Sequence, residues 1–218
     1  MDDLICSLKS PLFDGINPSD MKPMLHCIGY HISRFAKGEI VAFEGDNLKH
    51  IGIVLSGSVD MVKEDLWGNK TLLIRIRQNG LFGETFACGN DSLSTVTFVV
   101  SEDATVMFMP FSRVMHSCTM VCGFHHRLIE NMVKVIADKN RDLMQKIDVV
   151  SKRTIREKLL AYLSIQAQQQ NCRYFEIPLG RVELAEYLCV DRSALTRELA
   201  KMKDDGLIDF HKNYFRIH

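Results

Sequence analysis

The sequence lacks the features that would assign it to a membrane or to an oxidising compartment. No stretch approaches the roughly 18 apolar residues that a membrane span needs. The first residues also lack the basic region and apolar run of a secretory signal. Seven cysteines are present, but no two of them form a Cys-x-x-Cys pair. We therefore expect a cytoplasmic protein with reduced thiols and no membrane partner.

The formal net charge is zero, so the overall composition does not indicate a nucleic-acid binder. The charges are nevertheless uneven: residues 149–218 hold 12 Lys and Arg against 9 Asp and Glu, whereas residues 1–148 hold 15 against 18. An acidic N-terminal part and a mildly basic C-terminal part are consistent with a sensor joined to a DNA-binding module. The sequence shows no phosphate loop, metalloprotease spacing or Ser/His/Asp arrangement, and we expect no enzyme, no catalytic residues and no metal site.

The first half of the chain, from about residue 20 to 110, predicts short strands separated by turns. Several short strands at regular spacing favour a compact barrel or sandwich. The expected strands are Ile51–Leu55, Val59–Val62, Leu72–Ile76, Thr95–Val100 and Ala104–Met109, and the expected turns are Ser56–Ser58, Trp67–Lys70 and Ser101–Asp103.

From about Cys122 to Val150 the sequence has almost no turn-forming residues. Apolar residues recur there at seven-residue intervals, and one more occupies the offset position that completes a heptad seam, although lysines fill the next two offset positions. Either a single amphipathic helix packed on its own domain or a two-stranded dimer helix explains this pattern. The predicted dimer residues are Ile129, Met132, Ile136 and Leu143.

The residues after 150 predict three helices, over about 152–169, 181–188 and 192–205, followed by a small β-hairpin. The second and third helices are joined by the tight turn Cys189–Asp191, as in a helix-turn-helix. We expect Asp191 to be the N-cap of the third helix.

The start of the third helix is expected to present a polar side to solvent. Arginine can bind O6 and N7 of guanine with two hydrogen bonds, and a Ser or Thr hydroxyl can contact a base edge or a phosphate. Since the start of a recognition helix enters the major groove, we predict that this side contacts double-stranded DNA. The predicted DNA-binding residues are Arg192, Ser193, Thr196 and Arg197.

Several segments together resemble the Crp/Fnr family of bacterial transcription regulators, over nearly the whole chain. Arg192–Arg197 and Asp204–Ile208 resemble its DNA-binding domain. Upstream, Phe35–Ile40, Ile53–Val59 and Leu81–Glu84 resemble its cyclic-nucleotide-binding-type β-roll.

The resemblance implies an α+β fold in three parts. These are an N-terminal double-stranded β-helix, the β-roll sensor, over residues 1–115, a dimerisation helix over 116–148 and a C-terminal winged helix-turn-helix over 149–218. It also implies a homodimer that binds a palindromic promoter site, with recognition helices about 34 Å apart. Activation of transcription would further need contacts with RNA polymerase.

The resemblance implies that Arg197 reads guanine and that Arg192 makes a further DNA contact. Ser193 departs from the best-known members, which carry a glutamate that accepts from a cytosine amino group. A serine hydroxyl does not impose the same choice of base, so the half-site sequence is left open.

The sensor pocket departs further from the family. Its cyclic-nucleotide binders follow a Gly-Glu pair with an Arg-Ser/Thr-Ala segment that neutralises the cyclic phosphate, but this chain has no arginine there. The phosphate would lose its charge-assisted bidentate partner, so cyclic AMP is disfavoured and the effector is unidentified. The candidate pocket residues are Gly83, Glu84, Thr85, Ser94, Thr95 and Asn140.

No other cofactor is indicated. The closely spaced N-terminal cysteines of iron–sulfur relatives are absent. A redox or metal site could be formed by Cys118, Cys122 and His126, and haem could be bound by His125 and His126. Structural roles for these residues are the favoured interpretation. We expect a transcription regulator under allosteric control; the alternative is an effector-independent DNA-binding regulator whose β-roll is only a dimer scaffold.

Overall fold

A computed structural model describes residues 8–68, 70–89, 91–115 and 123–218. The chain divides into two units, Met1–Ala137 and Asp138–His218. The first contains a short 3-10 helix, Pro11–Phe13, then α1 (Pro18–Ile28), β1 (His31–Phe35), β2 (Ile40–Ala42), β3 (His50–Glu64), β4 (Lys70–Ile76), β5 (Leu81–Phe82), α2 (Glu84–Ala87), β6 (Thr97–Pro110), α3 (Phe111–Met115) and the start of α4 (Gly123–Val150). The second contains the end of α4, then α5 (Ile155–Gln169), β7 (Tyr174–Glu176), α6 (Arg181–Tyr187), α7 (Arg192–Asp204), β8 (Ile208–His211) and β9 (Tyr214–Ile217).

The strands of the first unit form an antiparallel sheet of order β1-β6-β3-β4, with β2 added on β6 and β5 on β3. Its centre is the long β3–β6 pair, in which Ile53 lies opposite Met107 and Val54 opposite Val106. The first of these pairs faces a core built with the helices, and the second faces a separate apolar cluster on the other side of the sheet. A strand that is buried on both faces explains the unbroken apolar run Ile51–Leu55.

Two predicted turns are wrong, because both segments lie inside long strands. Ser56–Ser58 lies within β3, and Ser101–Asp103 lies within β6, the strand that pairs with β3. The pairing shifts register at this point, as in a β-bulge. Gly57 has φ +77° there, and a Cβ on it would lie 2.1 Å from the carbonyl oxygen of Asp103. The glycine is therefore needed because two strands approach closely here. In the sequence, a Ser-Gly-Ser segment with this role looks the same as a hairpin turn.

Helices cover one face of this sheet. The side chain of Asn131 on α4 is 3% exposed, and its amide donates to the carbonyl oxygens of Leu12 and Asp14 at 3.0 and 2.7 Å. These bonds tie the N-terminal 3-10 helix to the start of α4.

The structure also corrects one residue of the predicted seam. Met132 is fully buried in the core beneath α4, together with Leu25, Met109 and Leu128. Its side chain therefore packs within its own unit and is not available to a partner.

The second unit folds around a core that α5, α6 and α7 share with a three-stranded sheet of order β7-β9-β8. The hairpin β8–β9 was predicted, whereas β7 was not. Helix α5 begins with a capping box, in which Thr154 accepts from the amide of Glu157 and Glu157 accepts from that of Thr154. The sheet of the second unit forms the wing of a winged helix-turn-helix.

Candidate nucleic-acid interface and effector pocket

The helix-turn-helix angle is built as the sequence predicts. Leu184, Leu195 and Leu199 are buried where α6 meets α7. The turn between the helices closes through a hydrogen bond from the amide of Val190 to the carbonyl of Ala185, at 3.0 Å. A core on one side of the angle leaves the opposite side of α7 free for a ligand.

The predicted N-cap is confirmed. The carboxylate of Asp191 accepts the amide of Ala194 at 2.9 Å and the hydroxyl of Ser193 at 2.5 Å. These bonds stabilise the charged form and lower the pKa of Asp191, the Ser193 hydroxyl being the larger cause. The start of α7 is thus held in a fixed geometry by one charged side chain.

All four residues predicted to contact DNA lie exposed on the first turns of α7. Arg192 and Arg197 are exposed. The hydroxyl of Thr196 donates to the carbonyl of Arg192 at 2.9 Å, and that of Ser193 donates to Asp191. The structure therefore gathers two cations and two oriented hydroxyl side chains on one short helical surface.

One residue of this unit that sequence reasoning missed is Arg181, the first residue of α6. Its guanidinium carbon lies 5.0 Å from the ring centre of Phe210 and 5.1 Å from that of Phe215, and its Nη2 donates to the carbonyl of Lys212 at 2.7 Å. Burial lowers the pKa of Arg181. No local sequence signal identifies this role, because the two strands of the wing follow about 30 residues later.

The Gly83-Glu84 pair of the candidate pocket lies at a sharp turn of the first unit. Gly83 has φ +82°, and Glu84 begins α2 as one of the few buried charged residues described, at 3% exposure. The hydroxyl of Thr85 donates to Glu84 at 3.3 Å. Aromatic rings pack nearby: the ring centres of Phe82 and Phe98 are 5.0 Å apart.

Ser94 and Thr95 were expected to complete the pocket. The hydroxyl of Ser94 and the carbonyl of Thr95 are already hydrogen-bonded within the protein. Ser94 is buried, and its hydroxyl donates to the carbonyl of Val96 at 2.6 Å. Thr95 is exposed, and its carbonyl accepts from Nζ of Lys63 at 2.9 Å. That ammonium also pairs with Glu44. Lys63 is thus a cation beside the segment, which sequence reasoning missed because it comes from a neighbouring strand.

The remaining described candidates lie on α4. Asn140 is exposed on α4, His125 is buried, and His126 is exposed and 3.2 Å from Glu130. Cys118 and Cys122 lie outside the described residues. Among the described residues, no group of three or more His, Cys, Asp and Glu is placed to hold a metal ion, and no helix is long and apolar enough to span a membrane.

The chain matches two domain families. Residues 32–118 match the cyclic nucleotide-binding domain, and residues 157–218 match the Crp-like helix-turn-helix domain. Together the matches span more than half of the chain.

Individual relatives agree with these matches. The chain is 24% identical to the transcriptional activator protein FnrL of Cereibacter sphaeroides, covering 84% of this chain and 74% of that one. It is 20% identical to the global nitrogen regulator of a Nostoc species, covering 86% and 85%. The solved structure of the c-di-GMP-responsive global regulator CLP of Xanthomonas campestris has the same fold, with a TM-score of 0.65 at 16% identity over 93% of this chain and 99% of that one. The chain therefore belongs to the Crp/Fnr family of DNA-binding transcription regulators.

Proposed function

We propose that the protein acts as a homodimer that reads a palindromic promoter site with the first turns of α7. The observation that carries this proposal is the exposed group Arg192, Ser193, Thr196 and Arg197 at the capped start of the helix. Two such helices related by twofold symmetry would enter successive major grooves on one side of a duplex.

The hydrogen bonds on α7 suggest what each side chain reads. Because Ser193 donates its proton to Asp191, its hydroxyl faces DNA as an acceptor, which suits the amino group of adenine or cytosine. Because Thr196 donates to the backbone, its methyl group remains for contact with a thymine methyl. Arg197 is the proposed reader of guanine, and Arg192 a second DNA contact.

The proposed dimer forms along α4. Its large exposed apolar side chains include Val133, at 58%, together with Ile136, Leu143 and Ile147. With Ile129 and Asn140 these residues follow the alternating spacing of four and three that defines a heptad seam. The offset positions of the seam are therefore 133, 140 and 147, one residue later than the sequence prediction, and Met132 is excluded.

This register gives Asn140 a role that differs from the predicted effector contact. A single Asn at a seam position costs stability but fixes the alignment of two helices, since its amide is satisfied only opposite a polar partner. We propose that Asn140 pairs with its counterpart in the second subunit.

The β-roll is the proposed sensor, and an unidentified effector would bind to it. The segment that carries the phosphate-binding arginine in the family's cyclic-nucleotide binders is Ser94, Thr95 and Val96 in this chain, which supports the expectation that cyclic AMP is not the ligand. A signal there would act by shifting the packing of the dimer helices. RNA polymerase is the proposed partner for activation.

A second candidate function is an effector-independent regulator whose β-roll is a dimer scaffold. The observation that favours it is the internal hydrogen bond of Ser94, which uses the hydroxyl that a ligand would need. The rings of Phe82 and Phe86 also pack against the ring of Phe98, close in the chain to the turn at Gly83.

Selection of binding sites from random duplex DNA, at moderate salt and without added ligand, tests the proposal. Recovery of a palindrome with half-sites one turn apart is the expected result, and shows that no effector is obligatory. Enrichment of asymmetric single sites would contradict dimeric readout. Failure of the folded protein to bind any DNA, with binding restored by a ligand screen, would exclude the scaffold alternative.

A further inference from the structure

Two histidine rings meet at one end of the sheet of the first unit. His31 begins β1 and His50 begins β3, and both strands pair with β6, which lies between them. His31 lies opposite Phe108 and His50 opposite Pro110. Because residues two apart on a strand point to the same face, the two imidazoles extend over the same face of β6. Their ring centres are 5.7 Å apart, and the ring planes are inclined by 76°.

The two imidazoles are held in place and are available to a ligand. The ring of His31 is stacked on that of Phe108, with centres 5.1 Å apart and planes inclined by 21°. Both histidines are exposed. Neither ring makes a hydrogen bond or an ion pair with another residue in the part of the chain that the structure describes.

The separation of the rings suits a metal ion shared between them. With Zn–N distances of about 2.0–2.1 Å, the centre of an imidazole lies about 3.2 Å from the ion, so two imidazoles of a tetrahedral site have centres about 5.2 Å apart. A small rotation of the exposed His50 side chain removes the difference between this value and the observed 5.7 Å. Since the described residues contain no group of three or more His, Cys, Asp and Glu placed to hold a metal, the ion would have two protein ligands and positions open to water.

The same histidines adjoin the turn at Gly83 in the candidate pocket. A Cβ on Gly83 would lie 3.1 Å from the carbonyl oxygen of His50. The ring of Phe108, which stacks on His31, also contacts that of Phe82, the residue before the turn, with centres 6.2 Å apart. An ion that joined the two imidazoles would therefore fix β1 relative to β3 next to this turn.

From this arrangement we infer that His31 and His50 form a binding site for a divalent transition-metal ion such as Zn²⁺, and that this ion is an effector of the β-roll. Imidazole is a ligand that suits Zn²⁺, Ni²⁺ and Cu²⁺, whereas Mg²⁺ and Ca²⁺ prefer oxygen. The inference departs from the sequence-based expectation of no metal site, because the two histidines come from separate strands and have no ligand spacing in the sequence. The effector role rests on the proposed function, and the metal site does not.

Titration calorimetry of the full-length protein with Zn²⁺, after removal of any affinity tag, tests the site. His31→Gln and His50→Gln should each lower the affinity of the wild-type site by about a hundredfold, because a single imidazole cannot chelate. Both side chains are exposed, so the unfolding midpoints without metal should match that of the wild type.

His126→Gln is the matched control, because it removes an exposed histidine from α4. It should leave Zn²⁺ binding intact. Unchanged binding in either His31→Gln or His50→Gln would overturn the site, and loss of binding in His126→Gln alone would place the ion on α4 instead.

The effector role is tested on the selected DNA site. Zn²⁺ should change the affinity of the wild type by about 5- to 150-fold, the usual range for coupled sites, and should have no effect on His31→Gln or His50→Gln. An unchanged DNA affinity with the ion bound would overturn the effector role. If the wild type binds no DNA with or without Zn²⁺, the proposed function fails, whereas the calorimetry still decides the metal site.

Discussion

The hydroxyl of Ser193 lies 2.5 Å from the carboxylate oxygen of Asp191 that also accepts the Ala194 amide. One oxygen atom thus caps the recognition helix and fixes the hydroxyl of a predicted base contact. Cap and readout are coupled, because any change that moves Asp191 also frees the proton of Ser193.

The coupling predicts a specific pH dependence. Since hydrogen bonds lower the pKa of Asp191 below its usual 3.8, the cap contributes fully above that value and is lost as the pH falls through the lowered folded-state pKa. The contribution of Asp191 to DNA affinity and to the stability of the second unit should therefore be constant between about pH 5 and 8 and decline only below about pH 4. Thermal unfolding against pH for the wild type and Asp191→Asn, which keeps a cap oxygen but does not titrate, checks this. A wild-type loss near pH 6 that is absent in Asp191→Asn would contradict it.

A second prediction concerns base choice. Ser193→Glu places a carboxylate acceptor at the start of α7, so the selected half-site should shift toward cytosine at one position, with discrimination of about 1–3 kcal/mol. Repulsion from Asp191 should lower the overall affinity. Site selection with Ser193→Glu measures the shift, and Ser193→Ala serves as the control that removes the hydroxyl without adding charge. Identical selected sites for all three proteins would mean that residue 193 does not face a base.

Arg197→Ala should reduce affinity for the selected site by about 1–3 kcal/mol and relax discrimination at one base pair. The reason is the loss of a bidentate contact with guanine. Competition binding with single-base variants of the site measures both effects. Equal weakening on specific and random DNA would make Arg197 a phosphate contact.

The DNA-binding unit was predictable because its signals are local. Helix periodicity, the capping Asp191 and the stop at Gly206 all act within a few residues of one another. Strand β7 was missed because three residues carry little pattern, and its pairing partner β9 lies about 40 residues away. Arg181 was missed for the same reason.

The errors in the first unit have a different cause. Gly57 has the signature of a turn, but its conformation serves a bulge against Asp103, a contact that only the strand pairing specifies. Met132 fits a heptad by spacing, yet α4 turns this residue toward the sheet core and exposes Val133 instead. Sequence spacing defines a helix face without showing which face the rest of the chain covers.

This distinction gives a fourth prediction, in which neighbouring positions of α4 behave differently. Ile136→Asp should dissociate the dimer and abolish binding to the palindrome, with little change in the folding of the subunit. Met132→Ala should lower the free energy of unfolding by about 2–5 kcal/mol because it leaves a cavity in the core, while the folded protein remains dimeric. Light scattering and thermal unfolding separate the two effects. A stable dimer of Ile136→Asp would refute the seam.

The turn of the helix-turn-helix supplies a fifth prediction. Cys189 has φ +53°, a conformation that costs a residue with a Cβ roughly 1–2 kcal/mol. Glycine removes this strain but adds about 0.5–1 kcal/mol of chain entropy to the unfolded state, so Cys189→Gly should stabilise the protein by up to about 1 kcal/mol. Chemical denaturation measures the change, with Cys189→Ala, which keeps the Cβ, as the control. A Gly variant that is less stable than the Ala variant by about 0.5–1 kcal/mol, the entropy cost alone, would show that the turn is unstrained.

The bulged pairing of β3 with β6 also has a kinetic consequence. It joins His50 to Pro110 and Val62 to Thr97, residues separated by 60 and 35 positions in the chain. Such contacts form only after a long loop has closed. The helices and the hairpin of the second unit are instead stabilised by contacts between residues that are close in the chain. The part of the protein that reads DNA is therefore expected to acquire its structure early during refolding. The part that would receive a signal should acquire its structure in a later, slower phase.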